Sequence, residues 1–143
     1  MYNYEGILYR IWGVGGIFVL LGIGCLFVSR MNKISVDKEC ILAGILCIIW
    51  GISSALYYGF CYAFPQVESI QCTFVEEYRN SRVAPPLPLT MEYTFLTEEG
   101  YTELYLDVLS EKNVLEEKLD LEKEYIVFYE ARTDIIVGII SPE

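Results

Sequence analysis

The chain has 143 residues and carries a formal charge of −10, with 20 acidic side chains, 10 basic ones and no histidine. That length holds a helical hairpin and one small domain and no more, and the missing imidazole removes both the commonest metal ligand and the commonest general base. Hydrophobic residues make up 54% of the chain, and its mean hydropathy of +0.37 is high for a soluble protein. The apolar excess lies in the first 64 residues, whereas residues 64–143 hold 17 acidic and 6 basic side chains, a balance of −11. An acidic module of this kind repels phosphate backbones, so nucleic acid is excluded as a partner, and anionic lipid headgroups do not attract it.

An aromatic cluster (Tyr2, Tyr4, Tyr9, Trp12) comes first, followed by an uncharged apolar run over Ile11–Val28. A second run covers Ile41–Phe64 and ends among Tyr57, Tyr58 and Tyr62. As helices these runs are about 27 and 36 Å long, enough to cross a bilayer core of about 30 Å. The spacing predicts a two-span hairpin whose aromatic ends share one membrane surface. The first run is expected to be retained: no A-x-A-like cleavage site follows it, and Gly22-Ile23-Gly24-Cys25 has Gly where a lipoprotein box favours Leu.

Gly15, Gly22 and Ser29 recur every seven residues, as do Gly44 and Gly51. Small residues at that interval keep to one helix face and allow close backbone approach, so Gly15, Gly22, Gly44 and Gly51 are the expected packing positions. The connecting loop carries Arg30, Lys33 and Lys38, against Arg10 alone at the amino end. The positive-inside bias therefore puts the 29–40 loop in the cytoplasm and the carboxy-terminal part outside.

From Val67 onward the hydrophobic period falls to two. Ile70, Cys72 and Phe74, then Met91, Tyr93 and Phe95, then Leu104, Leu106 and Val108 alternate with more polar neighbours. Two further strands, Glu124–Glu130 and Asp134–Ile140, are nearly continuous apolar runs. Glu98-Glu99-Gly100 reads as a hairpin turn in which Gly100 is able to take a positive φ, and Ala131-Arg132-Thr133-Asp134 joins the last two strands. Ser110–Leu119 reads as a short helix with Ser110 as its cap. The order β-β-β-α-β-β predicts a small five-stranded OB-like barrel over residues 67–143, with an SH3-like barrel or an open sheet on one helix as alternatives. The core of so small a domain is thin, so docking on the hairpin (residues 1–66) is expected to add stability.

The stretches Cys72–Glu76, Leu104–Ser110 and Tyr125–Ile139 resemble uncharacterised two-span membrane proteins of Gram-positive bacteria with a β-rich tail. More distantly, the chain resembles bacterial membrane proteins of the NfeD type, which join spans to an OB-like domain. The resemblance implies an architecture and carries no activity with it.

The candidate sites are few. Arg82-Val83-Ala84-Pro85-Pro86-Leu87-Pro88 has the R-x-x-P-x-x-P form of a polyproline II ligand, although the same prolines order a long loop. Tyr93, Tyr101 and Tyr105 offer partner contact wherever they face solvent, and otherwise belong to the core. The acidic pairs Glu76/Glu77, Glu98/Glu99 and Glu116/Glu117 read as solvated surface, and the five cysteines as small apolar residues. No catalytic, cofactor-binding or metal-binding residue is expected. The expected role is a non-enzymatic, membrane-anchored interaction module that binds a protein partner or further copies of itself. A toxin or bacteriocin immunity protein is one alternative. The other is an accessory subunit of a transporter or membrane enzyme, for which Ser53 and Ser54 make a poor intramembrane pathway.

Overall fold

The computed structural model of the chain describes residues 2–31, 38–80, 90–107, 111–115 and 118–142. Helix α1 (Glu5–Arg10) runs through a π-helical stretch (Ile11–Gly16) into α2 (Ile17–Met31), and α3 (Lys38–Ala63) follows. These form two helices long and apolar enough to cross a membrane, Glu5–Arg30 and Lys38–Ala63. The first begins six residues ahead of the apolar run. Asn3 Oδ1 accepts the Glu5 amide at 2.8 Å, so an otherwise open first-turn donor is satisfied, and the Glu5 carboxylate suits the positive helix end. Tyr9 and Trp12 therefore lie within the helix.

The two long helices meet through glycines. A Cβ built on Gly22 would stand 2.6 Å from the Gly44 carbonyl oxygen, and one on Gly51 would stand 2.7 Å from that of Gly15. Gly15 thus faces Gly51 and Gly22 faces Gly44, at backbone separations that no larger residue allows. Dispersion between the closely approaching backbones favours this contact.

Five strands follow: β1 (Val67–Asn80), β2 (Thr90–Thr97), β3 (Gly100–Asp107), β4 (Glu124–Glu130) and β5 (Ile135–Ile140), with the short helix α4 (Glu111–Val114) between β3 and β4. The sheet order β1-β2-β3-β5-β4 closes on itself. Strand β1 serves two neighbours. It pairs with β4 from Val67 to Thr73 and with β2 from Thr73 to Asn80, with an irregularity between Phe74 and Glu76 that bends it. Closure between β3 and β5 is parallel and rests on Tyr105 opposite Ile135, where Tyr105 donates its amide to Asp134 at 2.8 Å. The β2–β3 turn holds Gly100 at φ 127°, a conformation that L side chains resist.

The inner face packs Cys72, Phe74, Tyr93, Phe95, Leu104, Leu106, Tyr125, Val127 and Ile136. Phe74, Tyr93 and Phe95 form its aromatic centre, with ring centroids 5.8 to 6.4 Å apart. Val114 and Leu119 join the same core. Among the described residues of the segment expected as a helix over 110–119, Glu111–Val114 is helical, and the part-buried Leu115 packs on the core beside Val114 and Leu119.

Candidate functional site

The most constructed polar arrangement lies where the β domain meets the helix ends. Outward-facing positions of β4 and β5 are not exposed there, because the hairpin covers them. Ile135 packs with Ile7 and Cys61, flanked by Tyr4 and Tyr58. The Tyr2 ring sits 5.2 Å from that of Phe128, and Asn3 donates its amide to the Val137 carbonyl at 2.8 Å. Arg10 donates to Thr90 Oγ1 at 2.8 Å, and Asn113 Nδ2 to Glu5 Oε2 at 2.6 Å.

Glu130 is the centre of this junction. Its side chain is 0% exposed and stands on the covered outer face of β4. The Arg132 guanidinium donates to Oε1 at 2.7 Å through Nε and at 2.6 Å through Nη2. Thr133 Oγ1 donates to Oε2 at 3.0 Å, and the amides of Gln66 and Arg132 add bonds at 3.3 and 3.1 Å. Burial alone raises the carboxyl pKa, but the bonds from Arg132, Thr133 and the Gln66 amide outweigh it and hold Glu130 below the usual carboxylate range. Arg132 reaches on to the Phe64 carbonyl at 2.6 Å and lies over the Phe60 ring, 5.2 Å from its centroid. Tyr57 closes the ring by donating its hydroxyl to the Arg132 carbonyl at 2.7 Å. The turn carrying these groups ends at Asp134, held at φ 53°. Burial, then the Glu130 charge, raises the Asp134 carboxyl. The arrangement is chemically a clamp: it neutralises the buried Glu130 charge and ties the β4–β5 turn to the end of α3.

The residues expected to matter from sequence fall into three groups. Gly15, Gly22, Gly44 and Gly51 all sit at the helix–helix contact. Of the tyrosines, Tyr101 is 73% exposed, Tyr105 is half-buried, and Tyr93 is fully buried in the aromatic centre. Tyr93, a partner contact only if it faced solvent, is therefore a core residue and not a contact. Its hydroxyl pKa is raised by burial first and then by Glu111 and Glu77. Pro85 and Pro88 lie outside the described residues. Tyr105 lies among Glu92, Glu103, Asp134 and Arg10, and burial followed by the carboxylates raises its hydroxyl.

Glu130 and Arg132 were not singled out by sequence reasoning. The signal for them was the unbroken apolar character of β4 and β5: a strand without alternation is covered on both faces, so an acid within it is buried and needs a cation. Cys72 is buried in the core, and burial pushes its thiol up to about 11. Among the described residues no three His, Cys, Asp or Glu side chains come together as a metal site. No family model, no curated protein and no solved structure matches the chain.

Proposed function

We propose that this chain is a non-enzymatic, membrane-anchored interaction module: two membrane-spanning helices present a β domain at the outer membrane surface to a protein partner or to further copies. The observation that carries this reading is the clamp of Glu130, Arg132 and Phe64, which fixes the β domain on the helix ends. A domain on a loose tether would need none of these bonds; one held at a set height and angle over a bilayer does. The strand order, the parallel closure of β3 on β5 and the helix between β3 and β4 support an OB-like domain, and with it the likeness to NfeD-type architecture. Arg30, Lys33 and Lys38 in or beside the loop favour the orientation with the β domain outside.

The test is residue-specific crosslinking from Tyr101 of the full-length protein in its native membrane. Discrete crosslinked neighbours, or copies of the chain itself, are the expected result. A protein that stays uncrosslinked there and purifies as a monomer overturns the reading.

A further inference from the structure

Strand β1 has an edge that no strand among the described residues pairs. Antiparallel strands turn the peptide groups of alternate residues toward opposite neighbours. Phe74 donates to Lys123 and accepts from Glu122, and Gln66 accepts from Ala131, so even-numbered positions of β1 up to Phe74 face β4. Ser69 and Gln71 therefore turn their N–H and C=O groups the other way. Pairing with β2 begins only at Thr73, opposite Leu96, and among the described residues no strand lies beside Ser69 and Gln71 on that side. Both residues are exposed.

This edge borders a cleft of about 690 Å³, whose walls include Thr73, Leu96, Glu98, Glu99 and Glu124. Three carboxylates line it, and among the described residues no Lys or Arg does. Leu96 pairs across the hairpin with the exposed Tyr101, which gives the rim an apolar side. Building on the interaction-module reading, we propose that the Ser69–Gln71 edge takes an extended, Lys- or Arg-bearing segment of a partner protein as an added strand. Main-chain bonds to Ser69 and Gln71 hold the segment, and Glu98, Glu99 and Glu124 select its charge. The chain already shows the same device on another edge, where Asn3 donates its main-chain amide to Val137 of β5. A second copy is the poorer occupant, since its own β half brings 17 acidic against 6 basic side chains. Ser69 is six residues past the end of α3, so the segment sought lies close to the membrane.

The experiment uses the full-length protein in lipid nanodiscs and a short fluorescent peptide alternating Lys and Thr, followed by anisotropy. Saturable binding that weakens as salt is raised is expected. Affinity should fall about tenfold or more in Gln71→Pro, which removes an edge donor, and in the double variant Glu98→Lys with Glu99→Lys, whose exposed turn lies off the ladder. A peptide N-methylated at alternate residues should not bind. Equal binding by the charge-reversed variant, by a folded Gln71→Pro protein or of the N-methylated peptide overturns the proposal, as does the absence of saturable binding. If binding is absent while crosslinking from Tyr101 still finds neighbours, this edge is wrong and the interaction reading stands. If both fail, both readings fall.

Discussion

Arg132 donates its guanidinium to the main-chain carbonyl of Phe64 at 2.6 Å, so a turn of the β domain caps the open carbonyl end of the second long helix. Helix carbonyl ends lack intrahelical donors and carry partial negative charge, which a guanidinium matches in both respects. The same side chain neutralises Glu130, so one residue ties three parts of the chain together. Replacing Glu130 by Ala strips acceptors from the Gln66 amide, Thr133 and Arg132, and the expected loss is about 2 kcal/mol of β-domain stability. Arg132→Ala should also destabilise, and it should speed proteolysis between Phe64 and Val67. Thermal unfolding and limited digestion of the detergent-solubilised full chain check both. An Arg132→Ala protein as resistant at that linker as the parent would refute the clamp.

Acid should act on the two carboxylates in opposite directions. Glu130 is held below its ordinary 4.5, so the unfolded chain binds this proton more readily. Its contribution is complete above 4.5 and is lost as pH falls through the depressed folded value. Asp134 is raised above 3.8, so the folded state binds its proton first, and stability should rise slightly as pH falls through that raised value. Denaturant titrations across this range should show the small rise and then the loss. Glu130→Gln should remove the acid-side loss, and Asp134→Asn the rise; Asn tolerates the φ of 53° that this position requires.

Much of the architecture was legible because single-faced burial leaves a period in the sequence. Met91, Tyr93 and Phe95 alternate with polar neighbours because only one face of β2 meets the core, and Gly100 marks its turn because few other residues accept that φ. The same alternation already placed Tyr93 with Phe95, so its core position was readable even though its hydroxyl invited a surface role. The clamp was harder to read. Glu130 lies on the outer face of β4, which is dry only because the helix ends cover it, and the Phe64 carbonyl it works with through Arg132 is a main-chain group with no residue signature. The open edge at Ser69 and Gln71 depends on where β1 changes partners, a property of register that composition does not encode.

The glycines at the helix contact separate packing from mere composition. A Cβ at Gly22 would meet Ile48 Cγ1 at 2.5 Å and the Gly44 carbonyl at 2.6 Å, and backbone cannot step aside. Gly22→Ala should therefore force the helices apart at a cost of about 1–3 kcal/mol. Gly24, two residues on, has nothing within 4 Å of its Cβ position, so Gly24→Ala should be neutral or slightly stabilising. Unfolding of the two variants in mixed detergent micelles distinguishes them, and equal effects would mean that the glycine stripe is not the contact.

Thiol reactivity gives both an orientation test and a control for folding. The Cys72 thiol is buried and pushed up to about 11 from 9.0, which cuts its thiolate population at neutral pH by about a hundredfold. In the folded protein it should resist a membrane-impermeant maleimide and should react fully once the chain is denatured. A cysteine placed at Tyr101, 73% exposed in the parent, should react without denaturation. On intact cells, labelling at that position with Cys72 protected is the result expected for a β domain held outside. Labelling only after permeabilisation would turn the protein over in the membrane. Rapid labelling of Cys72 itself in the native protein would mean that the core around Phe74 and Tyr125 is not closed.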